Sequence, residues 1–510
     1  MDGRSQTIAR NASVVAGATL ASRVLGFVRD VIIAGVLGAG PMADAFFVAF
    51  RIPNLLRRLF AEGSLTMAFV PVFTRTLRDK GREAAFTLGR STLAWLLLIL
   101  GLLTLAVLWL AGPMTSLIAP GFTTDSEVFA HTVRLVRICF PYIIFISAMA
   151  LSMGILNSMG HFLLPALAPC LLNLSLIGFG AGAYLLGFSV STALAWGVLA
   201  AGLGQWMLLQ PALSRRGYSW QGSWSLTDPG VKRVGVLMLP TVLGAAVYQV
   251  NVVLGTVLAS FLAQGSISFL YYADRLVQFP LGVFGVAVST AALPSLSSLA
   301  SPEQRGEFLE TVRLSINLTL FISLPATAGL IALNTPIVQV LFGRGEFGPA
   351  AVSSTAWALT GYGVGLPAFC CIRSLVSAFY ALEDTRAPVL VAIVCLGLYL
   401  VTGLWLMGPL DHVGLALATS VSSWANVLLL GWLLRRRFGS WYVWGPGGWK
   451  MLGLSLALFG ICLATADLGW VALVLIPAWV GLYAWLGLIL GIKEAGLFVS
   501  GIRQMARRKG

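Results

Sequence analysis

Apolar runs about 20 to 30 residues long follow one another from Ala12 to Gly491. Runs of that length suit helices crossing a hydrocarbon layer of roughly 30 Å, rather than the short alternating strands of a membrane barrel. A water-soluble core cannot absorb them. The chain is 58% hydrophobic and only 10% charged, which leaves too little polar surface to cover such an interior. The predicted class is therefore an all-α polytopic membrane protein. The first run continues past Gly17 into Arg23, Arg29 and Asp30, without the short apolar region and small-residue cleavage site of a secretion signal, and so reads as a retained helix.

Breakers divide the runs into segments at approximately 12–37, 41–73, 88–112, 127–157, 161–186, 189–214, 231–262, 265–299, 307–333, 349–382, 386–408, 411–434, 447–466 and 469–491, about 14 transmembrane helices in all. A net charge of +14 would suggest nucleic acid in a soluble chain, but its placement excludes that partner. Lys and Arg gather at even-to-odd connections and their edges, as at Arg75 to Arg90, Arg215 and Arg216, Lys232 and Arg233, Arg305, Arg386 and Arg435 to Arg437, whereas odd-to-even connections hold only Arg344. The positive-inside rule then puts both termini in the cytoplasm. The tail from Lys493 to Lys509 mixes apolar and basic residues, and fits either an amphipathic helix on the anionic inner leaflet or a solvated extension.

The chain aligns with itself at an offset of about 223 residues. Ala49 to Ile52 then fall on Ala273 to Leu276, Pro71 on Pro294 and Pro165 on Pro388. Six helices per copy is an even number, so the copies enter the membrane in the same orientation, as parallel repeats that enclose a central cavity. The expected organisation is an N-terminal lobe (1–226), a C-terminal lobe (227–440), two further helices (441–492) widening a groove for a lipid tail or merely packing, and a basic tail (493–510).

Ionised side chains within membrane helices are costly and point to function unless paired. Here they are concentrated: Arg23, Arg29 and Asp30 in the first segment, Asp44, Arg51, Arg57, Arg58 and Glu62 in the second, Arg134 and Arg137 in the fourth, Asp274 and Arg275 in the eighth, and Arg373 in the tenth. Nine arginines against four carboxylates ask for an anionic guest. Guanidinium groups bind phosphate through paired hydrogen bonds and keep their charge when desolvated. Asp44, Arg51 and Arg58 recur every seven residues and share a helix face, as do Arg23 and Asp30. Each cation has a structural alternative, for instance an ion pair of Arg29 with Asp44, or of Arg275 with Asp274. Arg134 and Arg137 could instead snorkel to headgroups.

No metal site or cofactor is called for: His131, His161 and His412 lie far apart, and the six cysteines sit in apolar segments as small buried hydrophobes. There is neither a Walker motif nor a GxSxG. An embedded enzyme using Asp30 or Asp44, and a scaffold with no need of a charged chamber, are the alternatives from other classes.

The stretches Ser22-Arg23-Val24-Leu25-Gly26-Phe27-Val28-Arg29-Asp30, Asp44 to Arg58, Phe60 to Gly63 and Tyr271 to Leu276 resemble the MurJ/MviN family of lipid II flippases, over residues 10 to 490. The resemblance implies a transporter of the bacterial inner membrane, in the multidrug/oligosaccharidyl-lipid/polysaccharide exporter superfamily. Its substrate would be lipid II, undecaprenyl-diphosphate-MurNAc-pentapeptide-GlcNAc, and its surroundings membrane lipid and the cell-wall synthesis machinery. It further implies that Arg29, Arg57 and Arg275 cradle the diphosphate, that Arg23 and Asp30 orient them or the sugar-peptide, and that Asp44 closes the periplasmic side by pairing with an arginine of the other half. Glu62, with Arg51 and Arg58 near the cytoplasmic half of the second segment, reads from its position as structural or gating. For some relatives the resemblance also implies a sodium ion held with an acidic residue of the seventh segment (231–262). Gln249, Asn251 and Gly255 stand there instead, so membrane potential is the favoured drive.

Overall fold

The computed structural model describes residues 3–58, 64–439 and 446–507, and every regular element among them is helical. Two compact units form, residues 1–268 with 345–347, and residues 269–344 with 348–510.

The first unit holds α1 (Gly3–Leu37), α2 (Pro41–Leu56), α3 (Ser64–Trp109), α4 (Ala111–Ile118), α5 (Ser126–Cys139), α6 (Tyr142–Ser158), α7 (Leu163–Leu186), α8 (Val190–Ser214) and α9 (Pro229–Ser260). Helix α7 lies between α1 and α8, α6 packs on α3 and α8, and α2 packs on α5. Gly81, at φ +85°, breaks α3 into two limbs, a conformation that costs a residue without Cβ little. Arg90 of the second limb is buried and gathers the 219–223 loop, donating to Ser223 O at 2.8 Å and to Ser219 O and Gln221 O at 3.2 Å. A further loop closes on the end of α1: Glu346 N donates to Gly35 O at 2.8 Å, satisfying a carbonyl that the helix terminus leaves over. Gly345 sits at φ +56° with Gly35 O only 2.1 Å from where its Cβ would be, and Gly38, at φ +71°, meets Glu346 O at 2.6 Å in the same way. No side chain fits at either position without parting loop from helix.

Helix α10 (Ser266–Pro280) leads through a π-helical turn, Leu281–Gly285, into α11 (Val286–Ser298). The second unit continues with α12 (Arg305–Ala332), α13 (Asn334–Phe342), α14 (Pro349–Gly363), α15 (Leu366–Ala381), α16 (Arg386–Phe438), α17 (Pro446–Ala464), α18 (Trp470–Val474), α19 (Ile476–Ile489) and α20 (Lys493–Arg507). Its core joins Phe308, Val312 and Ile316 of α12 to Leu375 and Phe379 of α15 and to Leu430 and Leu434 of α16. Asp411, at φ +46° two residues after Pro409, breaks α16 into two limbs. Ser422 Oγ donates to Cys395 O across them at 2.7 Å. Five of the six cysteines are buried. The basic tail segment is helical, with Ala495 buried and Phe498 against Phe321 of α12 at 6.0 Å between ring centres.

Seven helices among the described residues are long and apolar enough to cross a membrane, or eight if the pair α14 and α15, bent by 40°, is one span. Two of them, α3 and α16, contain a break, and α16 carries two predicted segments. Leu102, Leu105 and Trp109 of α3 and Leu390, Val401 and Trp405 of α16 are exposed. Apolar surface this extensive needs lipid as its solvent, and the chain is a multi-pass membrane protein.

The internal repeat is plain in the element bounds. Shifted by 223 residues, the second limb of α3 falls on α12, α4 on α13, α5 on α14, α6 on α15, and α7 and α8 on the limbs of α16, each within two residues. The ends of α1 and α9 coincide under the same shift. Yet α9, which heads the second copy, packs on α3 and α4 of the first unit, whereas α1 packs on α7. The repeat in sequence and the division into compact units therefore part company at this helix.

Candidate functional site

Helix α1 carries Arg23 on an exposed face, and buries Arg29 and Asp30 to 9% and 3% exposure. Arg29 Nε and Nη2 donate to Asp30 Oδ1 at 3.0 and 2.6 Å. Its Nη1 donates to Asn173 Oδ1 of α7 at 3.0 Å. A buried guanidinium is tolerable only with such compensation. Here the compensation leaves a fixed, charged group inside an apolar helix bundle. Sequence reading did not find Asn173, because one amide in an otherwise apolar segment carries no charge to draw attention.

Helix α2 opens with Asp44, 2% exposed. Its carboxylate accepts from Gly265 N at 2.6 Å, Ser268 N at 2.8 Å and Ser268 Oγ at 2.6 Å. These groups lie at the amino end of α10, where unsatisfied N–H groups and the helix dipole favour an anion. The described partners of Asp44 are thus this helix start. One turn pair further on, Arg51 donates from Nη1 to Thr256 Oγ1 and, at 3.4 Å, to Val252 O, which ties α2 to α9. Arg57 donates to Asn54 Oδ1 from Nε at 3.1 Å and Nη2 at 2.8 Å. Arg57 and Arg58 continue α2 in π-helical conformation, and the π-helical turn after α10 occupies the equivalent place in the second repeat. Such turns widen a helix and recur at functional sites. Glu62 lies outside the described residues.

In the second unit Arg275 rests over the Tyr271 ring, 4.7 Å from its centre, and donates to Tyr271 Oη at 3.3 Å and Gln278 Oε1 at 3.5 Å. Gln278 Nε2 also donates to Asp274 Oδ2. The stacked face and the polar edge hold the guanidinium flat against its own helix. Arg134, Arg137 and Arg373 are exposed, Arg137 donating to Leu108 O at 3.2 Å. The structure thus joins Arg29 to Asp30 and holds Asp44 and Arg57 separately on α2. Each of these contacts leaves an anchored polar group suited to a large anion or to fastening helix ends, and none aligns a nucleophile with a base.

The sequence model of the family "Lipid II flippase MurJ" matches residues 33–488. A relative from Burkholderia cenocepacia named "Lipid II flippase MurJ" is 37% identical over 466 residues, covering 88% of each chain. One from Rhizobium meliloti, named "Probable lipid II flippase MurJ", is 39% identical over 428 residues, covering 83% of this chain and 80% of its own. Among solved structures, "Lipid II flippase MurJ, inward closed conformation" superposes with a TM-score of 0.75 at 26% identity, covering 91% of this chain and 98% of that one. An inward-facing multidrug resistance MATE transporter shares the fold, with a TM-score of 0.66 at 16% identity over 82% of this chain and 94% of its own. With the family's model spanning most of the chain and these charged helices in place, the chain belongs to the MurJ family of lipid II flippases.

Proposed function

We propose that this protein carries lipid II from the inner to the outer leaflet of the bacterial cytoplasmic membrane by alternating access, as a transporter and not an enzyme. The observation that carries the reading is Arg29, a guanidinium buried among apolar helices and held by Asp30 and Asn173, in a chain whose relatives are named for lipid II flipping. A diphosphate entering a membrane protein must exchange its hydration for other donors, and arginines supply them with fixed charge and paired geometry. In this account Arg29, Arg57 and Arg275 each bind the diphosphate during the cycle, while Arg23 and Asp30 orient the headgroup. Asp44 closes the outer side by holding the start of α10. Both termini face the cytoplasm, a reading that the distribution of basic connections supports, and membrane potential acts on the charged site, worth about 2.3 kcal/mol per charge per 100 mV.

Expressing the chain in bacteria depleted of their own flippase tests this. Growth is expected to be sustained and lipid II not to accumulate in the inner leaflet. Lysis with full expression of the inserted protein would refute the assignment.

A further inference from the structure

We propose that Asn173 is the positioning residue for Arg29, setting the plane in which that guanidinium meets a diphosphate headgroup. The inference deepens the reading above and rests on it for the role of Arg29. Consecutive residues of a helix point about 100° apart, so Arg29 must turn sideways around α1 to reach Asp30. Both of its described bonds to Asp30 end on one oxygen, Oδ1, and two bonds to one atom fix a point rather than a plane. Asn173 Oδ1, arriving from α7 at 3.0 Å from Nη1, supplies the second point.

The amide is itself held. Asn173 Nδ2 donates to Ser22 O at 3.1 Å, about two helical turns before Arg29 on the same helix. Rotated by 180°, the amide would set its NH2 group against the guanidinium N–H and its oxygen against a carbonyl, so one orientation is selected. At 5% exposure, Asn173 is costly to bury without such partners, and both ends of its amide are used by α1. A chain of contacts from Ser22 through Asn173 to Arg29 therefore presets the guanidinium before the substrate arrives. An anionic headgroup then has less side-chain freedom to freeze on binding.

The bland alternative is a polar bond that only fastens α7 to α1. Titrating lipid II onto the purified full-length protein in nanodiscs, with native mass spectrometry as the readout, separates the two. Asn173→Ala is expected to weaken binding about tenfold, as loss of one charge-assisted hydrogen bond does. Asn173→Asp keeps the shape and the acceptor for Arg29 while setting an oxygen against Ser22 O, and with Arg29 compensating its charge it is the second variant should alanine fail to insert. Its extra negative charge opposes the diphosphate, and it is expected to weaken binding more than alanine does. In an Arg29→Lys background, itself weakened, Asn173→Ala is expected to change affinity less than about twofold, because residues acting through one another are not additive. In an Arg275→Lys background the full effect should persist. Wild-type affinity in Arg29→Lys would remove the diphosphate reading of Arg29 itself. Weakened binding in Arg29→Lys with an undiminished further loss on Asn173→Ala, or wild-type affinity in both Asn173 variants, would overturn the positioning role.

Discussion

Alanine at Arg29, Arg57 or Arg275 is expected to abolish rescue of a flippase-depleted strain, with each variant still present in the membrane. A charge-assisted hydrogen bond contributes about 1.5–3 kcal/mol, so one guanidinium lost from a bidentate contact lowers diphosphate affinity by roughly 100-fold or more. Lysine keeps the charge and loses the paired geometry, and should rescue in part or not at all. Arg29 needs a further control, because its removal leaves Asp30 buried without the cation to which it is bonded at 2.6 Å. Breaking a buried pair costs about 3–5 kcal/mol in stability. The double variant Arg29→Ala with Asp30→Asn should recover stability and remain inactive. Arg373→Ala, on an exposed position of α15, is the comparison and should grow. If the three alanine variants all sustain growth at wild-type level, these arginines are structural.

Neutralising Asp44 should release the start of α10. The carboxylate accepts three hydrogen bonds there, and in Asp44→Asn one of its two oxygens becomes an NH2 group facing backbone N–H donors. Losing even one charge-assisted bond of about 1.5–3 kcal/mol shifts the ratio of closed to open forms by roughly tenfold or more. A cysteine replacing Ile267, 2% exposed between Gly265 and Ser268, reports on this. In Asp44→Asn, membrane-impermeant maleimide added from outside should label it about tenfold faster than in the parent. Equal rates would mean that Asp44 only caps the helix and takes no part in gating.

How far the sequence could be read follows from the kind of signal each feature leaves. Apolar run length sets the helices because bilayer thickness sets run length. The 223-residue offset, found from a few matches such as Pro165 with Pro388, holds across the helix ends because each copy must cross the same membrane with the same breaks. Charged residues in apolar segments were conspicuous for their cost, so Arg29, Asp30 and Asp44 stood out. Their partners did not. The hold on Asp44 comes partly from backbone N–H groups of Gly265 and Ser268, which every residue but proline possesses and no sequence pattern marks. Asn173 is a single uncharged amide, meaningful only once α7 lies beside α1. The packing of α9 on α3 was likewise hidden, because the repeat predicts equivalence and tertiary contact departs from it.

The most direct test of the account is leaflet exchange by the purified protein. Lipid II placed on one side of sealed proteoliposomes should become accessible on the other in the presence of the wild-type chain under an imposed membrane potential, and should stay where it was placed with Arg29→Ala. Exchange at the rate of protein-free vesicles in the wild-type sample, or equal exchange in both proteins, would contradict it.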